Sequence, residues 1–260
     1  MSQNPQLPDD GNMNSSTRRV AIKMPVVQPR VTFALLGVLA LIFLYYLSLS
    51  PGVSGGQEAF LNDWAKVNDL VRDGEYYRLF TSMFVHLDMI HILFNGYALY
   101  LFGRDVESLF GHVRFGVIYF LGGLSGSLAS FIFTDAPSVG ASGAIFAIFG
   151  AEMVYFYQHR QLHGEAGRRH LNRLLFFMLL NLAFGFTYSR IDNAGHIGGL
   201  IGGVVLAWFI GPDYSVQRDP TTESGLSVVD DNPIQRWALP SVLYAVGLVV
   251  LSVYAISAPV

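Results

Sequence analysis

The chain has 260 residues, of which 52% are hydrophobic and 13% are charged, and its mean hydropathy is +0.41. Soluble domains carry about 25% charged residues, so this composition excludes an ordinary soluble domain and predicts an integral membrane protein. The net charge of -3 excludes nothing, because the positive residues are concentrated in a few segments. The lack of cysteine excludes disulfides, thiolate metal ligands and a thiolate nucleophile.

Residues 1–30 are polar and rich in Asn, Gln, Ser and Pro, which predicts a disordered cytoplasmic tail. Residues 31–49 form an uncharged run that is long enough to span a bilayer. Because it follows a long tail and lacks a small-residue cleavage site, we expect an anchor helix rather than a cleaved signal peptide. Residues 50–78 mix charges with aromatics, a composition typical of a connection at a membrane interface.

Six further apolar runs follow, and each is predicted to be a spanning helix because backbone groups in lipid must be satisfied internally. Their predicted bounds are 79–103, 115–134, 141–157, 174–189, 194–210 and 237–256. The sequence therefore predicts an all-α polytopic membrane protein. Its six-span core covers residues 31–211, and a polar linker at 212–236 leads to a seventh span within 237–260.

Lysine and arginine predict the orientation, since cytoplasmic segments are enriched in both. With the N-terminus inside, twelve of the sixteen fall on inside segments. The four outside are Lys66, Arg72, Arg78 and Arg190. We therefore expect a cytoplasmic N-terminus and an outside C-terminus. Ser142 and His196 would then lie near the outer ends of their helices, on the same side.

Ser142 stands in the small-residue stretch 140–144, at the start of the fourth span. Small neighbours leave its hydroxyl unshielded, and the free N–H groups of a first helical turn favour a developing anion. Serine among small residues more often means close helix packing, so this stretch alone does not decide. Residues 134–139 would have to dip below the outer surface, where irregular backbone needs a protein or water-filled cavity.

His196, near the start of the sixth span, is the predicted base for Ser142, because neutral imidazole is the usual base for a serine hydroxyl. Gly195, Gly199 and Gly203 recur every four residues along that span. Such a small face lets two helices approach closely. We expect these glycines to pack the fourth and sixth spans together and so to set the distance between the two side chains.

His91 and Asn95 are four residues apart in the second span, so they share one helix face. Both can donate hydrogen bonds, and together with the Ser142 backbone N–H they could stabilise a tetrahedral oxyanion. His86 lies five residues before His91, about 140° around a regular helix. A structural role is therefore expected for it.

A metal site is the next alternative, since His86, His91 and His196 could be ligands. The helical H-E-x-x-H pattern is absent, and Asp88 is the only acid close by. We therefore predict no metal and no cofactor.

An aspartyl mechanism would need two facing intramembrane acids. Asp88, Asp105 and Asp192 all fall near span ends or loops, which disfavours it. Glu152 lies about 15 Å beyond the serine along a helix, too far to orient His196. The prediction is a dyad without a third acid.

Over residues 75–203 the sequence resembles the rhomboid intramembrane serine proteases. The resemblance rests on residues 140–143 (Gly-Ala-Ser-Gly) and 195–199 (Gly-His-Ile-Gly-Gly), with three polar residues in the second span, His86, His91 and Asn95. It implies a six-helix core, and the seventh span resembles the six-plus-one variety of that family.

The resemblance also implies roles for individual residues. Ser142 and His196 would form the dyad, while His91, Asn95 and Gly140 would belong to the oxyanion and substrate-binding region.

Other positions resemble the family less closely or concern structure. Phe146 stands where the family often has a tyrosine stacked on the catalytic imidazole, and Tyr77-Arg78 replaces a Trp-Arg pair. Glu107 resembles a structural glutamate after the second span. Gly199 is expected beside the site.

The implied substrate is a single-span membrane protein whose helix has small or helix-breaking residues near the outer leaflet. The expected environment is membrane lipid, in a bacterial plasma membrane, with no nucleic-acid partner. One alternative is a catalytically inactive relative that binds membrane proteins; such relatives typically lack the serine or the histidine. Another is a small-solute transporter, which would favour inverted repeats. The sequence leaves the oligomeric state open.

Overall fold

The computed structural model describes residues 24–51, 55–188 and 191–257. Residues 1–23, most of the predicted tail, lie outside the described residues. The helices are α1 (Arg30–Ser48), α2 (Gly56–Trp64), α3 (Asn68–Arg72), α4 (Arg78–Thr81), α5 (Met89–Ala98), α6 (Arg104–Phe110), α7 (His112–Phe133), α8 (Ser142–Gln158), α9 (Arg160–Thr187), α10 (Asn193–Ile210) and α11 (Ile234–Ser257). A 3₁₀ turn covers Ser82–Phe84, and a π-helical segment, Leu99–Gly103, joins α5 to α6.

Within the part of the chain that the structure describes, five helices are long and apolar enough to cross a membrane. They are α1, α7, α9, α10 and α11. The other two predicted spans correspond to α8, with 17 residues, and to the continuous run of α5, the π segment and α6. The prediction of an all-α polytopic membrane protein is confirmed.

The second span begins about ten residues later than the apolar run at 79–103 predicts. The chain leaves helical geometry before Asp88, whose extended backbone and side chain cap α5 by accepting a hydrogen bond from the His91 N–H at 2.8 Å. An N-cap aspartate fixes a helix start because it satisfies one of the free N–H groups there. The helix therefore begins at Met89 and runs to Phe110, not from residue 79 to 103.

Helices α7, α8 and α10 form the centre of the molecule. Eleven of the 17 residues of α8 are buried, and small residues allow this dense contact. A Cβ placed on Gly122 of α7 would overlap the Cβ of Ala147, and one on Gly203 of α10 would overlap the carbonyl oxygen of Ala147. In lipid the hydrophobic effect does not drive helices together, so the van der Waals contacts that this close backbone approach allows hold them instead.

The outer helices expose their apolar surface. Half of the apolar window of α7 is buried within the chain, against 11% for α9 and 6% for α11. Helix α9 begins at Arg160, well before the predicted fifth span, and contains a break at Gly164 with φ of 51°. Its charged first half was excluded from the predicted span because hydropathy detects only the apolar half.

The predicted polar linker contains two antiparallel strands, β1 (Tyr214–Arg218) and β2 (Leu226–Asp230), a hairpin that was not predicted. Arg114, at the start of α7, donates to the Asp230 carboxylate at 2.7 Å and also to the carbonyl oxygen of Asn232. Tyr214 donates its N–H to His159 Nε2 at 3.0 Å. The linker is thus docked on the ends of α7 and α8.

Two buried charged residues, Arg78 and Glu107, connect other parts of the core. Arg78 is buried and donates to the carbonyl oxygen of Ala65 at 3.1 Å and to the Glu75 carboxylate at 2.7 Å. Glu107 is fully buried and accepts hydrogen bonds from the backbone N–H groups of Val31 and Thr32, both at 2.7 Å. The glutamate therefore anchors the start of α1 to α6.

Candidate active site

A turn at residues 140–142, called the serine turn below, leads into α8 and makes Ser142 the first residue of that helix. Gly140 has a φ of +127°, a conformation that residues with a Cβ rarely adopt, and its N–H donates to the carbonyl oxygen of Ser82 at 2.9 Å. Ala141 is fully buried, whereas Ser142 is only partly buried. The turn therefore presents a reachable hydroxyl at a helix N-terminus, where unpaired N–H groups and the helix dipole favour negative charge.

His91 and Asn95 converge on this turn from α5. A Cβ placed on Gly140 would lie 2.7 Å from His91 Nε2 and 3.6 Å from Asn95 Nδ2. Two side-chain nitrogens thus flank the backbone two residues before Ser142. The lack of a side chain at Gly140 leaves the space that both of them face.

His86 lies elsewhere than the helical spacing predicted. It precedes α5 rather than belonging to it, so the angle of about 140° does not apply. Its ring meets the His91 ring edge-on, with 4.9 Å between centroids. The side chain is buried and supports the position of His91 directly.

His196 stacks on Phe146. The two ring centroids are 4.2 Å apart and the planes differ by 8°. Phe146 lies one turn beyond Ser142 on the same face of α8, so this stacking holds the imidazole over the face that carries the serine. Among the described residues no hydrogen bond joins Ser142 to His196, and His196 Nδ1 is buried without a partner. Catalytic hydrogen bonds are often long or poorly aligned before substrate binds.

Glycines bring α8 and α10 close enough for this arrangement. A Cβ placed on Gly199 would overlap the carbonyl oxygen of Gly143, the residue after the serine. Gly126 of α7 closes the third side, since a Cβ there would lie 2.7 Å from the carbonyl oxygen of Gly195. The three backbones pack around the serine turn with no room for side chains.

Comparisons with known proteins agree with this architecture. The rhomboid domain model matches residues 73–213. The chain belongs to the rhomboid family. The match covers the second to the sixth predicted spans, and so includes Ser142, His196, His91 and Asn95.

Two curated relatives show how far the similarity to other rhomboids extends. "Rhomboid protease GluP" of Bacillus subtilis (strain 168) is 39% identical over 180 residues, which cover 69% of this chain and 35% of the relative. "RHOMBOID-like protein 1" of Arabidopsis thaliana is 33% identical over 198 residues, or 71% of this chain and 50% of the relative. The aligned part is thus half or less of the length of these relatives.

A buried lysine, Lys66, holds the segment that leads into the residues around Ser142. Lys66 is fully buried, and its Nζ donates to the carbonyl oxygens of Thr134 and Ala136 at 3.0 and 2.9 Å. Its backbone pairs with Ser138 through two hydrogen bonds of 3.0 Å. The irregular segment predicted at 134–139 is therefore held in place by the first loop.

Asp192, directly before α10, contacts the same segment as Lys66. Lys66, Ser138 and Asp192 together form a polar cluster beside the serine turn. The Asp192 carboxylate accepts from the Gly195 N–H at 2.9 Å and from the Ser138 hydroxyl at 2.7 Å. Burial alone would raise the pKa of Asp192, but hydrogen bonds to its carboxylate, together with the positive charge of Lys66, outweigh burial and hold the pKa below its ordinary value of 3.8. Burial lowers the pKa of the Lys66 ammonium, although the negative charge of Asp192 opposes that shift.

The signal for Asp192 was present in the sequence, because an aspartate directly before an apolar helix is a typical N-cap. No comparable pattern marked Lys66, whose Nζ donates to two backbone carbonyls some 70 residues away along the chain.

A cavity of about 20 Å³ lies between this cluster and the serine turn. Its lining includes Lys66, Ser138, Ser142 and Asp192. A polar space of this size can hold one water molecule. The site therefore combines a hydroxyl, an imidazole, two converging donors and a polar cavity large enough for the water that hydrolysis needs.

Proposed function

We propose that this rhomboid is an intramembrane serine endopeptidase that uses Ser142 and His196 as a catalytic dyad. The observation that carries the proposal is the stacking of His196 on Phe146, one turn from Ser142. It supports a shared location for base and nucleophile at the N-terminus of α8. No acid is assigned to the imidazole, because Glu152 lies about 15 Å further along the same helix.

In the proposed reaction the Ser142 hydroxyl oxygen attacks the scissile carbonyl carbon, and His196 takes the hydroxyl proton. The carbonyl oxygen becomes an anion that accepts hydrogen bonds from His91, Asn95 and the Ser142 backbone N–H. When the intermediate collapses, the C–N bond breaks and His196 gives its proton to the leaving amine. A water molecule then attacks the acyl-serine with His196 again as base, which releases the new carboxyl group and restores the serine.

The proposed substrate is a single-span membrane protein. In a regular helix the backbone carbonyls are occupied by internal hydrogen bonds and shielded by side chains, so Ser142 cannot reach them. Small or helix-breaking residues expose a carbonyl at lower cost. Because Ser142 and His196 are proposed to lie near the outer ends of α8 and α10, the cut would fall near the outer leaflet.

The proposed location is a bacterial plasma membrane, with the N-terminus cytoplasmic and the C-terminus outside. The distribution of lysine and arginine supports this orientation, because twelve of sixteen then fall on inside segments.

A catalytically inactive membrane-protein binder is the alternative. The missing hydrogen bond between Ser142 and His196 is the observation that favours it. The two proposals differ in whether substrate is cut or only held.

The deciding experiment incubates the purified protein with a single-span substrate and maps the cut by mass spectrometry. Ser142→Ala and His196→Ala should each abolish cleavage and keep the melting temperature. Ser252→Ala and His163→Ala are matched controls, since the Ser252 hydroxyl donates to the carbonyl oxygen of Leu248 in its own helix α11, while His163 lies on α9. Cleavage that survives in Ser142→Ala would reject the serine mechanism. Stable binding without any cut in the unaltered protein would favour the inactive binder.

A further inference from the structure

A second group of polar side chains lies away from the serine site, where three helices meet. Asp105 of α6, Glu152 of α8 and His170 of α9 each bring one oxygen or nitrogen atom to within 4.8 Å of the other two. Glu152 is ten residues beyond Ser142, about 15 Å along α8. The two sites are therefore separate, and this one lies toward the opposite end of α8.

One oxygen of the Glu152 carboxylate is buried without a hydrogen-bond partner among the described residues. The Glu152 side chain is fully buried, and His170 Nε2 lies 2.6 Å from Oε1. Oε2 is equally buried but finds no hydrogen-bond partner among the described residues. A buried carboxylate oxygen without a partner is costly, so such an atom in a packed core calls for a ligand.

Asp105 adds a second carboxylate to the same point. Its side chain is exposed, and it forms no ion pair with a described residue. Arg104 and Arg173 are not among the described residues that form ion pairs. Two carboxylates this close repel each other unless they share a proton or a cation lies between them.

We propose that Asp105, Glu152 and His170 bind a divalent first-row transition-metal ion. One imidazole nitrogen with two carboxylates suits Zn²⁺, Mn²⁺ or Co²⁺, whereas Ca²⁺ and Mg²⁺ prefer all-oxygen sites. The ion supplies the missing partner of Glu152 Oε2 and removes the repulsion between the acids. The exposed Asp105 gives the ion a path from water and leaves room for water ligands.

The bound ion would fasten α9 to the core. Only 11% of the apolar window of α9 is buried within the chain, so few contacts hold this helix, whereas the three ligands come from three different helices. A ligand that binds only the folded arrangement raises its stability by mass action. Ion binding should therefore raise the melting temperature without involving Ser142.

The test uses the full chain in detergent, freed of any histidine tag and stripped with a chelator. Co²⁺ serves as the probe, because protein ligands give it visible absorption bands. One Co²⁺ should bind per chain, be displaced by Zn²⁺ and raise the melting temperature. Asp105→Asn and His170→Asn should each weaken binding by about 10-fold or more, as loss of a metal-site partner does. Asp105→Asn changes an exposed residue and leaves the Glu152–His170 contact intact, so it tests the site at little risk to folding.

His163→Asn is the matched control. His163 lies on the same helix and contacts the Tyr155 hydroxyl at 3.0 Å, outside the cluster. It should bind Co²⁺ like the unaltered chain. The proposal is overturned if no Co²⁺ binds, or if Asp105→Asn and His170→Asn bind it normally. It is equally overturned if His196→Asn, rather than His170→Asn, abolishes the bands, since the ion would then occupy the serine site.

Discussion

Substituting Gly199 by alanine should damage catalysis from outside the reacting groups. The added Cβ would overlap the carbonyl oxygen of Gly143, which belongs to the backbone of α8 and cannot rotate away. Helices α8 and α10 must therefore separate. Overpacking of this kind typically costs about 1–3 kcal/mol of stability. In a chain of this size, about 1 kcal/mol corresponds to a fall of roughly 2–4 °C in melting temperature.

The effect on turnover should be larger than the effect on stability. Gly199 lies three residues after His196 on the same helix, so a shift of α10 moves the imidazole away from Ser142. Misplacing a reacting group by about 1 Å can cost on the order of 10²-fold in rate. The assay is kcat and KM on a single-span substrate, together with the melting temperature in the same detergent.

Gly247→Ala is the matched control for this prediction. A Cβ at Gly247 of α11 has no atom within 4 Å, and alanine favours a helix over glycine by about 1 kcal/mol. That variant should keep its turnover and its stability. If Gly199→Ala matched Gly247→Ala in both measurements, the close approach of α8 and α10 would not set the geometry of the dyad.

Three further predictions concern other parts of the molecule. Asn95→Ala should lower kcat about 10²-fold with little change in KM, because an oxyanion donor acts mainly in the transition state; an unchanged kcat would remove Asn95 from the oxyanion site. The pKa of Asp192 is lower folded than unfolded, so its stabilisation is present above about pH 4 and is lost as pH falls through the folded pKa. Melting temperatures from pH 2 to 7 should show an acid-side decline that is shallower in Asp192→Asn, and equal slopes would contradict this. Reporter tags at residue 165 should be cytoplasmic and tags after Val260 outside; both tags on one side would mean that α11 does not cross.

Hydropathy and spacing in the sequence determined most of what is local. The apolar runs predicted seven helices, because each span must satisfy its own backbone in lipid, whatever its neighbours are. The small residues around Ser142 and His196 also predicted that both segments pack closely against other helices. This too is a local signal, because close approach needs small side chains wherever the partner helix lies. The helix bounds were less accurate where capping or charge decides them, as at Asp88 and in the charged half of α9.

Only the tertiary structure decided which distant groups meet. It placed His86 against His91 rather than on another helix face. It paired Lys66 with the carbonyls before the serine turn and brought Glu152 to His170. Periodicity reports which side of its own helix a residue occupies, but the partner of a buried charge depends on how helices far apart in the chain pack. A buried charge needs such a partner because lipid and protein interior offer no water to solvate it.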